Sequence, residues 1–351
     1  MKSYKSFRLF NEKISFLMDK KAMIVIFILF LVTSLVFVIS TGVGEMNINP
    51  LSVLQVFIGG GTESDRLIIQ SFRLPRIIVA LLVGMGLAVA GGILQGMIRN
   101  PLASPDILGI TGGATVAVVG FLAIFSDKNH SLTVSINWLP LAAFIGATVV
   151  ALLVYSLAWK NGVPPIRLVL IGIGVMALMK ALTTMMMILG PVFQASQANL
   201  WITGSVSTST WNNIAVLAPW TILFLLIAFL YARNINLQEL GDDLATGLGG
   251  HVQKQRFTLL MISTALIGGS TAFAGGIGFV GLMAPHMARR LVGSSFGVLL
   301  PTSALLGGIL VMVADLIGRT LFSPLEIPAG VFTASIGAPY FIYLLYKTRN
   351  S

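Results

Sequence analysis

The sequence predicts an all-α integral membrane protein of ten transmembrane helices with an inverted internal repeat. Three observations predict it. The 351 residues are 56% hydrophobic and only 10% charged, whereas a soluble domain carries roughly 25% charge. Apolar runs near the ~20 residues that cross a bilayer recur along the whole chain. Finally, Gly84–Gly113 reappears 184 positions later, superposing Ala90-Gly91-Gly92-Ile93 on Ala274-Gly275-Gly276-Ile277, Pro101 on Pro285 and Gly113 on Gly297. Repeated halves in an apolar chain point to a transporter.

In chain order, a basic N-tail (1–22) leads to a first apolar run at 23–41. That run is too long, and lacks the small-residue cleavage site, for a removable signal peptide, so it is expected to remain as the first span. The segment 42–68 is polar, Gly-rich and acidic (Glu45, Glu63, Asp65) and reads as an external loop. Spans follow at 74–98 and 107–125, an external loop at 126–137, and spans at 138–158 and 167–190. Gln194 to Asn213, with Trp201 and Trp211 among Ser, Thr and Gly, reads as an interfacial stretch. Further spans fall at 214–232, 257–276, 298–321 and 328–346, with a short apolar helix at 282–291 completing ten. The second to fifth and the seventh to tenth spans form the two repeats. Starting at Arg73 and Arg256, these are expected to run oppositely through the bilayer. One transmembrane domain accounts for residues 1–351.

An even count puts both termini on one side. Under it the N-tail, Arg99, Lys160, Arg167, Arg233, Lys254, Arg256, Arg289, Arg290, Lys347 and Arg349 share a face, which the positive-inside rule makes cytoplasmic. The net charge of +10 is therefore a topology signal and not a nucleic-acid surface. The chain has no cysteine, which excludes disulfides, thiolate ligands and thiol nucleophiles.

The longest internal polar segment is the cytoplasmic loop 233–256, in which Leu237, Leu240, Leu244 and Leu248 recur at helical spacing. Gly241 and the Gly249-Gly250 pair break it into two short helices. It reads as a docking element for a soluble partner, or as a solvated connector.

Several motifs carry no chemistry. Gly276, Gly278 and Gly281 spell G-x-G-x-x-G, but no predicted strand precedes them, and such glycines let helices approach closely. No P-loop occurs, so ATP drive must come from another subunit. His130, His251 and His286 lack metal-ligand spacing, and no catalytic group or resident cofactor is expected. Asp315 and Arg319, four residues apart, read as a local ion pair. Lys180 lies near the middle of the fifth span, where an uncompensated lysine costs about 2.5–3.5 kcal/mol. It reads either as a structural lysine bonded to carbonyls or as a pathway residue, with Met176 and Thr183 as neighbouring path candidates.

The segments RLPRIIVALLVGMGLAVAGGILQGMIRNPLASPDILGITGGA (73–114), ELGDDLATGLG (239–249), GGIGFVGLMAPHMARRLVG (275–293) and ADLIGRTL followed by EIPAGVFTASIGAPYFIYLL (314–345) resemble the iron-siderophore and cobalamin permease family of ABC importers, of FecCD type. The likeness covers nearly the whole chain beyond the first span. It implies a non-enzymatic permease in the cytoplasmic membrane, paired with a second permease subunit as homodimer or paralogous heterodimer. ATPase subunits would drive it and an extracytoplasmic binding protein would deliver a ferric siderophore. The resemblance assigns Gly241, Asp242, Asp243, Leu244, Ala245, Leu248 and Gly249 to ATPase coupling, with Leu244 and Ala245 on the contact side. It assigns Arg73, Arg76 and Arg319 to external docking of the binding protein, and the fifth span, with Lys180, to the translocation path. A cobalamin or haem permease of the same family is the alternative cargo class. An ion-coupled secondary transporter would need titratable residues deep in the membrane, for which only Lys180 and Asp315 offer themselves.

Overall fold

The computed structural model describes residues 4–9, 14–44, 46, 48–125, 133–160, 162–189 and 192–349. Most of the expected external loop, including His130, lies outside them. An antiparallel hairpin, β1 (Tyr4–Leu9) with β2 (Ile14–Asp19), precedes α1 (Lys20–Gly42), whose start Asp19 caps by accepting the Lys21 N–H at 2.9 Å. The segment expected as an acidic loop is more ordered than its composition suggests. It holds α2 (Pro50–Phe57), with Pro at the first helical position after an Asn cap, and α3 (Glu63–Leu67), capped by Thr62. A π-helical stretch, Ile68–Arg73, runs without a break into α4 (Leu74–Ile98).

Beyond α4 the helices are α5 (Ile110–Ile124), α6 (Leu139–Ala158), α7 (Pro165–Leu189), α8 (Val192–Thr203) and α9 (Trp211–Leu230). Then come the short α10 (Ala232–Glu239) and α11 (Asp242–Gly247), followed by α12 (Val252–Ala274), α13 (Val280–Val292), α14 (Phe296–Thr320) and α15 (Ala329–Arg349). Each of the ten expected spans is thus a helix. Among the described residues, 7 helical runs are long and apolar enough to cross a membrane, and Ile110–Ile124 and Ala329–Leu344 are shorter apolar helices. With the 13-residue α13 they are consistent with ten crossings. The Gln194–Asn213 stretch differs from expectation: its first half is α8, and Trp211 donates its indole N–H to the Gln70 carbonyl at 2.8 Å.

The centre of the molecule is α4, packed against α12, α13 and α14. Helix α14 runs antiparallel to it, so that Arg76 meets Asp315, Gly84 meets Gly307 and Gly96 meets Phe296. Two backbones touch at the middle pair: a Cβ built on Gly84 would lie 2.2 Å from the Gly307 carbonyl oxygen. In lipid, where apolar burial does not drive association, such close contact is one of the sources of helix–helix attraction. Gly91 is tighter still, since its Cβ would fall 1.8 Å from the Gly281 oxygen. The third glycine of the G-x-G-x-x-G run is therefore a helix-packing residue.

The repeat is visible in the geometry. Arg99, at the end of α4, and Arg256, in the second turn of α12, both bond Asp242. One repeat-related helix ends where the other begins, so the pair runs in opposite directions. The shared AGGI run is used differently in the two halves. In α4 it lies mid-helix; in the second half the helix stops at Ala274, and Gly275 takes a φ of 67° that only glycine adopts without strain.

Candidate functional site

Two polar clusters lie at opposite ends of α4. The first gathers on the face where α4 ends and α12 starts, and is built by α10 and α11. Gly241, with φ 105°, turns the chain between these helices, and Gly249, with φ 82°, ends the second. Asp242 then stands at the first position of α11, with its carboxylate facing inward. Its Oδ1 accepts from Arg99 at 3.1 Å and from Arg256 at 2.9 Å, and Arg256 is 1% exposed. Glu239 accepts from Arg289 of α13 at 3.0 Å, and the Asn236 amide oxygen accepts the Phe296 N–H at 3.0 Å. Polar bonds thus fasten α10 and α11 to α4, α12, α13 and α14.

The outer side of this pair is apolar. Leu240, at the end of α10, and Leu244 and Leu248, in and just after α11, are 53%, 62% and 66% exposed, forming an apolar ridge across the Gly241 turn. Asp243 is exposed beside them, and a groove lined by Arg99, Pro164, Pro165, Leu240, Asp243 and Leu244 adjoins the ridge. Ala245, by contrast, is fully buried within the chain. The sequence reading set Leu244 and Ala245 on one contact side; the structure separates them, because neighbours on a helix point about 100° apart.

The second cluster holds the three arginines expected at the external mouth, and they point inward. Arg73, 8% exposed, donates to the carbonyls of Thr41 at 2.9 Å and Gly42 at 2.8 Å, and also to Met46. Arg319, 7% exposed, donates to the Ser40 carbonyl. These acceptors are at or just beyond the last turn of α1, where helix carbonyls lack intrahelical partners and the dipole favours a cation. Arg76 bonds Asp315 at 2.9 and 3.1 Å and Glu326 at 2.9 Å. The expected Asp315–Arg319 pair exists but is loose, at 3.7 Å; Asp315 is primarily the partner of Arg76. Only the Arg76–Glu326 pair reaches solvent, through a Glu326 side chain 48% exposed.

The three path candidates on α7 do not share a wet face. Thr183 is buried, its hydroxyl turned back to the Met179 carbonyl at 2.9 Å. Met176 is half-buried, its backbone packed against Gly109. Lys180 alone is exposed, beside Ala177, Ala181 and Thr184 in an open, mostly apolar groove. Among the described residues no group of three or more acidic or histidine side chains is placed to hold a metal ion.

A family model, described as the FecCD transport family, matches residues 30–347. The chain belongs to the FecCD transport family. It is 58% identical over 333 residues, 95% of this chain and 97% of the relative, to the Probable siderophore transport system permease protein YfhA of Bacillus subtilis. It is 46% identical over 330 residues, 94% and 98% of the two chains, to the iron(3+)-hydroxamate import system permease protein FhuG of the same organism. Among solved structures it is similar to an ABC transporter described as of metal-chelate type, in an inward-facing conformation: 31% identity, 93% of this chain and 99% of that one, TM-score 0.83. As a FecCD member the chain is a membrane transport subunit, not an enzyme.

Arg256 and Glu326 take part in these clusters without having been singled out for them by sequence. A signal existed for Arg256. A cation near the start of a helix opposes the macrodipole and requires an anionic partner.

Proposed function

We propose that this FecCD permease forms the membrane path of an ATP-driven importer of ferric siderophores in the cytoplasmic membrane, with both termini inside. The observation that carries the reading is the leucine ridge of α10 and α11: exposed, apolar and fastened beneath by salt bridges, on the face where Arg99, Arg256 and Arg289 concentrate. A braced pair of short helices with an apolar outer edge suits a soluble ATPase subunit, and Leu240, Leu244, Leu248 and Asp243 are the residues assigned to that contact. Gly241 and Gly249 shape the element, while Asp242 and Ala245 hold it from within. The siderophore cargo is supported by the two relatives above, whose names specify siderophore and iron(3+)-hydroxamate import. It is tested by uptake of a panel of labelled ferric siderophores, with cobalamin and haem as controls, in a strain lacking this gene. Rescue of cobalamin or haem uptake alone would refute the cargo.

At the opposite mouth, Arg76 and the half-exposed Glu326 form the assigned docking point for a binding protein, whose carboxylate would take the place of Glu326. Arg73 and Arg319 keep that mouth in shape. A second permease subunit, identical or paralogous, covers the open face of α7, so that Lys180 borders the path between the two.

A further inference from the structure

The loop between α6 and α7 is held at one residue by both of its backbone groups, and both bonds come from the start of α12. The Val163 N–H donates to Gln253 Oε1 at 2.9 Å, and the Val163 carbonyl accepts from Arg256. Val163 is fully buried, and two residues later α7 begins at Pro165. The approach to Gln253 is close: a Cβ on Gly162 would meet its amide nitrogen at 2.6 Å.

The other arm of the Arg256 guanidinium bonds Asp242, the first residue of α11, at 2.9 Å. A planar guanidinium holding two acceptors fixes their mutual geometry in a way a single ammonium does not. The same carboxylate oxygen accepts from Arg99 at the end of α4. Asp242 and Arg256 therefore join the short helix under the leucine ridge, the repeat-related helices α4 and α12, and the entry of α7.

We propose that Asp242, Arg256 and Gln253 are positioning residues that transmit movement of α11 to α7, and so tie displacement of the docking ridge to the helix that carries Lys180. This rests on the ridge being the ATPase contact, as assigned above. Burial makes the link stiff. An arginine 1% exposed that lost its carboxylate would be left charged and unpaired away from water, which is costly, so α11 and the start of α12 move as one body. Val163, bonded at both N–H and C=O, follows α12, and the proline two residues on starts α7 with little slack.

The test uses the full transporter, with its ATPase subunits and binding protein, reconstituted in proteoliposomes. ATPase retained on the tagged permease, ATP hydrolysed and labelled ferric siderophore taken up are measured together. Asp242→Asn weakens the bonds to both Arg99 and Arg256, Gln253→Ala removes the bond to Val163, and Arg256→Lys keeps the charge but loses the two-armed geometry. In all three the ATPase should stay bound while uptake per ATP falls about tenfold, within the usual range of coupling between sites. Wild-type uptake per ATP in both Asp242→Asn and Gln253→Ala would overturn the proposal, as would loss of the ATPase from Asp242→Asn, which would make Asp242 part of the contact itself. Should Arg256→Lys fail to fold, the other two variants decide alone. Leu244→Asp, run alongside, addresses the underlying assignment: full ATPase retention there would sink the ridge as docking surface, an outcome separate from any change in coupling.

Discussion

Replacing Asp315 with asparagine should be among the most destabilising single isosteric changes in this chain. Asp315 is 3% exposed and stands between two guanidinium groups, those of Arg76 and Arg319, at 2.9 and 3.7 Å. Removing one partner of a buried pair leaves the other charged and desolvated, at a cost of about 3–5 kcal/mol. Two features favour the lower end. Arg76 keeps Glu326, at 2.9 Å, and Arg319 keeps the Ser40 carbonyl, so about 3 kcal/mol is expected. Glu326→Gln removes the other carboxylate of the same arginine, but from a side chain 48% exposed. Water then replaces most of the pair, and the cost should stay below about 1 kcal/mol. Unfolding of the purified protein from mixed micelles, titrated with SDS and followed by tryptophan fluorescence, measures both. If the two variants were equally stable, or Glu326→Gln the weaker, then burial would not be what makes Asp315 important.

The other predictions concern the ridge, the packing and α7. Leu244→Asp should release the ATPase from a permease that still reaches the membrane in normal amount, whereas Ala245→Asp should lower the folded protein itself, as read by size-exclusion of a fluorescent fusion. Gly91→Val places a side chain where a Cβ already overlaps the Gly281 carbonyl, so no folded peak should remain. Gly297→Ala, with nothing within 4 Å, should leave the fold intact and, being in the first turn of α14, raise helix stability by less than the ~0.5–1 kcal/mol of a mid-helix site. Lys180→Met should slow uptake of an anionic ferric siderophore while sparing a neutral one; equal loss for both would remove Lys180 as an electrostatic guide.

Much of the architecture is legible because lipid enforces it. A segment that must satisfy its own backbone and bury about 20 apolar residues has few alternatives to a helix, and each expected span is one. The break of the 233–256 loop into two helices was legible for a similar reason: Gly241 and Gly249 sit where the chain needs positive φ, at 105° and 82°. The order within Gln194–Asn213 was not legible, since Ser, Thr and Gln fit a loop as well as a short helix. The register between halves was only partly so. The AGGI identity relates two helices, but whether its first glycine continues a helix, as Gly91 does, or ends one, as Gly275 does, depends on neighbours far away in sequence.

The arginines show most plainly where sequence reasoning stops. Counting charges by side orients the chain, yet it cannot say what each charge bonds. Arg99, Arg256 and Arg289 belong to the basic face, and they are bonded inward to Asp242 and Glu239. Arg73 and Arg319, at the opposite face, were expected to meet a partner because the resemblance assigns them to external docking. The missing consideration was the end of α1. Its last turn contains no basic residue, and Gly42 and Gly44 leave its carbonyls open to approach from the side. Orphan carbonyls in a low-dielectric setting demand donors, and a guanidinium with five N–H groups is the side chain best able to supply several at once. A cation that opposes the charge bias of a membrane protein thus has two possible employers, a partner outside or a helix end inside. The arginines themselves are similarly buried, at 12%, 8% and 7% for Arg76, Arg73 and Arg319, and what distinguishes them is the partner: a Glu326 48% exposed beside Arg76, and the carbonyls at the end of α1 for the other two.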